Sequence, residues 1–151
     1  MSGKASASEC ALCGAMKDEK LRIYDGKLCA AFVILNPVSQ FHCLVLPKRH
    51  VERMSDLRGD ELVELFQVMG RLSSFIHSKS SDYPRDALVS LNRGSNATQP
   101  HIHFHVINSV GGVRTLVDAQ RKCGIYPPCT REHLEQLAEE YRGFVDAPLV
   151  D

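Results

Sequence analysis

A chain of 151 residues, 44% hydrophobic and 24% charged, is long enough for one domain that buries roughly two-thirds of its unfolded surface. Eighteen Lys and Arg balance eighteen Asp and Glu, so no broad electrostatic footprint for nucleic acid or an anionic membrane exists. An anionic small molecule has to be met by a local site, which points to a pocket.

Residues 1–9 (MSGKASASE) are small and polar and are expected to be disordered, with a single domain over 10–151. They lack the apolar core of a signal peptide, and no later run approaches the ~18 apolar residues of a membrane span. The expectation is a cytoplasmic protein, with access to the nucleus and with reduced thiols. Leu21–Tyr24 reads as a short strand, and Asp25-Gly26 as its turn, because Gly accepts φ > 0. Leu28–Leu35 is the returning strand, closed by Asn36-Pro37. His42–Leu46 is a third strand, stopped by Pro47.

Asp60–Lys79 is the strongest helix, with Leu62, Leu65, Phe66, Met69, Leu72 and Ile76 spaced along one face. Asp60, Glu61 and Glu64 sit in its first turns, where the macrodipole favours negative charge. A polar loop, Ser80–Asp86, leads to a fourth strand at Ala87–Leu91; a turn-rich loop, Asn92–Pro100, leads to a fifth at His101–Asn108. Thr130 is the N-cap of a last helix striped by Leu134, Leu137, Ala138, Tyr141 and Val145. Hairpin signals without alternating βα units predict an α+β fold: an antiparallel sheet of about five strands, a long central helix and a C-terminal helix.

The fifth strand carries the chemistry. Alternate residues of a strand share a face and lie ~6.5–7 Å apart, so His101, His103 and His105 project from one side while Ile102, Phe104 and Val106 pack on the other. Imidazole is both nucleophile and acid near neutral pH, so such a row can bind a phosphate, attack it and protonate the departing group. Two other readings are open on spacing alone. The histidines are a solvated row on an open face, or two of them chelate a catalytic zinc.

HIHFHVI matches the pattern His-φ-His-φ-His-φ-φ, with φ apolar, and resembles the histidine-triad (HIT) family. The resemblance extends to Phe41-His42-Cys43-Leu44-Val45-Leu46-Pro47-Lys48-Arg49-His50, where that family typically has Gly-His-x-Leu-Val-φ-Pro-Lys-x-His. It covers roughly residues 8–108 and leaves 109–151 as a C-terminal extension. It implies hydrolysis at the α-phosphorus of nucleoside phosphoramidates or related nucleotidyl conjugates, releasing nucleoside monophosphate. His103 would attack phosphorus to form a covalent nucleotidyl-histidine, and His105 would contact the phosphate or bridging atom and help protonate the leaving group. Asn92 and Gln99 are the implied substrate contacts, with a purine nucleotide or its conjugate as ligand. Ile34 stands where the family usually has Asp or Asn accepting the ribose hydroxyls; Asn36, on the same face if the strand persists, is the alternative acceptor. The loop before the triad is shorter than the family's, and Pro100 in it has no N–H.

Cys10-Ala11-Leu12-Cys13 is a CxxC, readable as two buried thiols, a redox pair or half of a zinc site. Resemblance to one branch of the family completes a structural zinc site with His50 and His101, leaving His103 and His105 for chemistry that itself needs no metal. Cys29, Cys43, Cys123 and Cys129 are expected as core or surface thiols, and His42, His77 and His133 as structural or solvated. The family likeness also implies a homodimer with a continuous sheet. Neither nucleic acid nor membrane is expected as a partner. Dinucleoside polyphosphate hydrolysis and a nucleotide-binding regulatory module with weak turnover are the alternative functions.

Overall fold

Arg22–Asp25 (β1) and Cys29–Val33 (β2) form an antiparallel hairpin whose register shifts between Arg22 and Tyr24, a local irregularity that bends the edge strand. His42–Pro47 (β3), Leu88–Ser90 (β4) and Phe104–Ile107 (β5) complete a five-stranded sheet of order β1-β2-β3-β5-β4, every neighbouring pair antiparallel. Among the described residues three α-helices accompany it: Ala11–Ala15 (α1), Gly59–Lys79 (α2) and Arg131–Val145 (α3). This is the expected α+β architecture. The structure, a computed structural model, describes residues 10–79, 87–91, 99–108 and 130–146. The expected disorder of residues 1–9, the loop at 80–86 and most of the C-terminal extension lie outside those residues.

Period-two alternation divides the sheet into two faces. Cys29, Ala31 and Val33, with Cys43, Val45 and Val106, turn toward α2 and α3 and form the larger core. Phe41 meets Phe75 and Tyr141 there, edge to face, at ring separations of 5.7 and 6.4 Å. Phe32, Leu44 and Leu46 turn the other way and pack with Cys10 and Leu12. His42 precedes Leu44 by two, and His105 stands directly opposite Leu44, so the histidines occupy this second face beside α1. α3 begins as expected: the Thr130 side chain accepts the His133 N–H at 3.2 Å, and all five residues of its stripe are buried.

Several local expectations are corrected. The α2 face against the sheet is Leu65, Val68, Met69, Leu72, Phe75 and Ile76. Phe66 is 61% exposed and Leu62 only half-buried, because the sheet lies against the helix one residue further round. Glu61, read as a first-turn acid favoured by the macrodipole, is also 2% exposed: Arg49 donates Nε and Nη2 to its two oxygens at 3.0 and 2.8 Å. That fork holds the Glu61 carboxyl below its usual pKa and ties the segment after β3 to the start of α2. Glu64 accepts hydrogen bonds from the Leu28 and Cys29 amides and the Tyr24 hydroxyl, fastening the β1–β2 hairpin to α2. Gly26 does not use a left-handed φ; a Cβ there would overlap the Glu64 carboxylate and the Tyr24 ring, so the requirement is space. β2 stops at Val33 rather than Leu35, and β5 starts at Phe104 rather than His101.

Candidate functional site

The late start of β5 follows from the end of β3. Pro47 has no N–H, so the ladder cannot continue past it, and the Val45–Phe104 pair is the last between the two strands. Beyond that pair the chain is held by other bonds: Ile102 N–H donates to Val51 O at 2.6 Å, and His101 Nε2–H donates to Pro47 O at 2.9 Å. Ile102 stays in the larger core, as its alternation with Phe104 and Val106 requires. The three histidines remain on the opposite side, but they divide between two sites.

His101, fully buried, belongs to the first. Donation from Nε2 to Pro47 O leaves the lone pair on Nδ1, which lies 3.3 Å from Cys13 Sγ and 3.7 Å from Cys10 Sγ. His50 adds its own Nδ1 at 3.5 Å from Cys13 Sγ. All four ligand atoms lie within 4.8 Å of one another. Ligands at ~2.0–2.3 Å in a tetrahedron stand about 3.5 Å apart, which the three Cys–His separations of 3.3 to 3.7 Å match, while the widest separation has to close for a four-coordinate ion. The CxxC spacing does this on one turn: Cys10 is the N-cap of α1, and Cys13 lies in its first turn on the same side. Burial, then the hydrogen bond and charge of Cys10, push the Cys13 thiol up to about 11. Holding the Cys13 sulfur as a thiolate therefore calls for a cation beside it. Burial also pushes His101 down to about 4, which keeps the imidazole neutral and able to ligate.

The second site is built from His103, His105 and His42. His103, 8% exposed, donates Nδ1–H to the main-chain carbonyl of His101 at 2.8 Å. Its Nε2 therefore carries the free electron pair, the tautomer a nucleophile needs. The His103 and His105 rings lie 5.1 Å apart, centre to centre. His105 is oriented by His42, a residue expected to be structural or solvated. The Val38 amide donates to His42 Nδ1 at 3.1 Å, so the His42 proton sits on Nε2 and is donated to His105 Nδ1 at 2.8 Å. His105 thus keeps its own proton on Nε2. Burial, with the neighbouring His105 charge, pushes His42 down to about 3; burial, with His103, pushes His105 down to about 4. Both are neutral in the free protein at pH 7. The signal for His42 was present in the sequence: β3 and β5 are antiparallel neighbours, and position 42 alternates onto the triad's face.

The remaining candidates divide. Gln99 is half-buried just before Pro100, and Asn92 lies outside the described residues. Asn36 is exposed beyond the end of β2, so the condition that the strand persists is not met. Ile34, beside the β2–β3 ladder, packs against the cluster of Phe32, Leu44 and Leu12. Cys29 and Cys43 are buried thiols in the larger core, pushed up to about 12 by burial, while Cys123 and Cys129 lie outside the described residues. No helix among the described residues is long and apolar enough to cross a membrane.

Comparison with known proteins follows the same lines. A family model, the HIT domain, matches residues 16–110. The chain is 36% identical over 84 residues to bis(5'-nucleosyl)-tetraphosphatase (asymmetrical) of Schizosaccharomyces pombe, spanning 56% of this chain but only 46% of that protein. It is 32% identical over 114 residues to bis(5'-adenosyl)-triphosphatase of Dictyostelium discoideum, spanning 76% and 73% respectively. Adenosine 5'-monophosphoramidase of Candida albicans is 23% identical over 109 residues, spanning 68% and 72%. Among solved structures, a histidine triad nucleotide-binding protein of Sulfolobus tokodaii superposes with a TM-score of 0.65 at 26% identity, covering 91% of this chain and 92% of that one. A zinc-bound histidine triad family protein of Mycobacterium smegmatis shares the fold with a TM-score of 0.65 at 19% identity, covering 93% and 95%. With the HIT domain model matching well over half of its length, this chain belongs to the histidine-triad family.

Proposed function

We propose that the protein is a nucleotide hydrolase that cleaves the α-phosphorus bond of nucleotidyl conjugates through a covalent intermediate on His103. The observation that carries this reading is the His103 Nδ1–H bond to the His101 carbonyl, which leaves Nε2 unprotonated in a shielded site beside a second, oriented imidazole. Relatives named as a tetraphosphatase, a triphosphatase and a monophosphoramidase all act on nucleotide substrates split at phosphorus.

The reaction follows from the two tautomers. A substrate phosphate brings negative charge beside His105 and favours a second proton on it, at Nδ1, reversing the effect of burial; His42 then has to turn its Nε2–H away from that nitrogen. Nε2 of His103 attacks the α-phosphorus while the carbonyl of His101 holds the Nδ1 proton and the positive charge that develops on the ring. The bond from phosphorus to the leaving nitrogen or oxygen breaks, and His105 hands its Nε2 proton to that atom. Water then attacks the nucleotidyl-histidine, returns a proton to His105, and releases nucleoside monophosphate and neutral His103. Asn92 and Gln99 are the proposed substrate contacts.

Cys10, Cys13, His50 and His101 would hold a structural zinc. Closed by four protein ligands, it supplies rigidity rather than a reactive water. His101 is the shared residue: its ring belongs to the metal cluster and its carbonyl to the nucleophile.

The relatives at 36% and 32% identity favour dinucleoside polyphosphates as the second substrate reading, with a nucleotide in place of an amine as leaving group. One assay separates these from a binding module of weak turnover. The protein is incubated with an adenosine phosphoramidate and with diadenosine tri- and tetraphosphates, and phosphorus NMR follows AMP release. AMP from one class with a nucleotidyl adduct on the His103 peptide supports the proposal; tight binding without release from any of them overturns it.

A homodimer is also proposed. β4 is an edge strand with Val89 exposed, and Val63 and Phe66 expose apolar surface on α2. A dimer mass in sedimentation at micromolar concentration is expected, and a monomer mass rejects it.

A further inference from the structure

The two imidazoles of the Cys/His cluster are held in different ways. His101 turns Nδ1 to both sulfurs, and its Nε2–H ends on the main-chain carbonyl of Pro47. That acceptor is part of β3 and cannot turn away. His50 likewise turns Nδ1 to Cys13 Sγ, so a lone pair at Nδ1 requires its proton on Nε2. Yet Nε2 of His50 is shielded from solvent and has no hydrogen-bond partner. A buried N–H without an acceptor is costly, and the neutral ring could lower that cost by moving the proton to Nδ1, the tautomer that cannot ligate.

An anionic oxygen stands close by. Oε1 of Glu52 lies 3.6 Å from His50 Nε2, just beyond hydrogen-bond length, on a side chain that is one-third exposed and can rotate. Among the described residues this is the only partner of the Glu52 carboxylate. We propose that Glu52 is a positioning residue of the metal centre, its carboxylate accepting the Nε2–H of His50 and so turning the Nδ1 lone pair to the ion. The inference rests on the zinc reading of the cluster given above. It completes a symmetry of function: each histidine ligand has an outer oxygen, a fixed carbonyl for His101 and a mobile carboxylate for His50. A carboxylate also makes the imidazole a better donor than a carbonyl does, and such outer partners commonly contribute 10- to 100-fold in metal affinity, on the order of magnitude. His50 is consequently the ligand whose hold on the ion is adjustable from the surface.

The test uses the full chain as wild type, E52Q and E52A, with zinc partitioned against a chromophoric chelator. The wild type is expected to bind one zinc per chain. E52A should bind about 10- to 100-fold more weakly and E52Q between the two, since an amide oxygen still accepts but carries no charge. Cobalt(II) substitution should give the same sulfur-to-metal absorption in all three, because no ligand has been removed. Thermal midpoints should coincide when the proteins are metal-free and separate only with zinc present, which a purely structural role for Glu52 would not produce. Equal zinc affinity in wild type and E52A overturns the role of Glu52 while leaving the zinc site standing. No zinc binding by the wild type overturns both.

Discussion

His101 and His103 are two residues apart, carry the same side chain, and face the same side of the sheet, yet they are prepared for opposite partners. The difference lies in which ring nitrogen the backbone claims. Pro47 O takes Nε2–H of His101 and leaves Nδ1 to the sulfurs; His101 O takes Nδ1–H of His103 and leaves Nε2 unprotonated, free for the proposed attack on phosphorus. His105 has the third arrangement, its Nδ1 accepting from His42 and its proton kept on Nε2. Imidazole identity alone therefore says little about role. The hydrogen-bond partner behind the ring selects among the proposed roles of ligand, nucleophile and acid, and here two of the three partners are main-chain carbonyls that no side-chain substitution removes.

The nucleophile offers the largest test of that division. His103→Ala should lower turnover on the order of 10^4-fold or more while still binding nucleoside monophosphate, since the pocket is otherwise intact. Quenched-enzyme mass spectrometry should find the adduct only in the wild type. Retained turnover would erase the distinction between the two histidines and shift attention to the metal cluster.

The metal half is tested next. Cys13→Ser should abolish stoichiometric zinc and lower the thermal midpoint, because metal binding to a closed site is linked to folding. It should also lower kcat by about 10- to 100-fold, since His101 carries the carbonyl that fixes His103 and small displacements of a nucleophile are costly. Loss of zinc and stability with kcat unchanged would mean that the two halves share a strand without sharing energy.

His42 sharpens the picture within the reaction half. His42→Asn should lower kcat by about tenfold, most for poor leaving groups, because the proton on His105 is then no longer confined to Nε2. An equal loss for good and poor leaving groups would restrict His42 to packing.

The smallest expected effect is on stability against pH. His42 and His105 sit at about 3 and about 4 in the folded protein, against 6.5 as ordinary histidines. Between pH 6.5 and about 4 the unfolded chain therefore binds protons that the folded chain refuses. Stability is full above that window and falls as the pH drops through it, by up to about 1.4 kcal/mol per pH unit for each group. Thermal midpoints measured from pH 8 to pH 5 should decline more steeply in wild type than in His42→Asn. Parallel slopes would show that His42 is not held neutral.

Much of this molecule is legible in one dimension. The alternation of Ile102, Phe104 and Val106 with three histidines gives the two faces of β5, and Leu134 to Val145 gives the buried stripe of α3. Both depend only on the period of the backbone. The α2 stripe was less legible: Leu62 and Phe66 share helical spacing with Leu65 and Met69, and the side facing the sheet is fixed by how the sheet is laid against the helix. Glu61 shows the same limit. Its helix-start position was readable, but its burial depends on Arg49, which reaches it only because β3 ends where α2 begins.

Residue types and their spacing set which side chains are available and on which face: the CxxC turn, the period-two histidines, and the Pro47 that ends a ladder. Their division into two sites is made by contacts between distant segments. His42 meets His105 across a strand pair, and His101 meets Cys10, Cys13 and His50 across separations of 51 to 91 residues. Local spacing fixes a direction along the chain and supplies the carbonyl behind His103, whereas the partners behind His101 and His105 arrive only when the sheet closes.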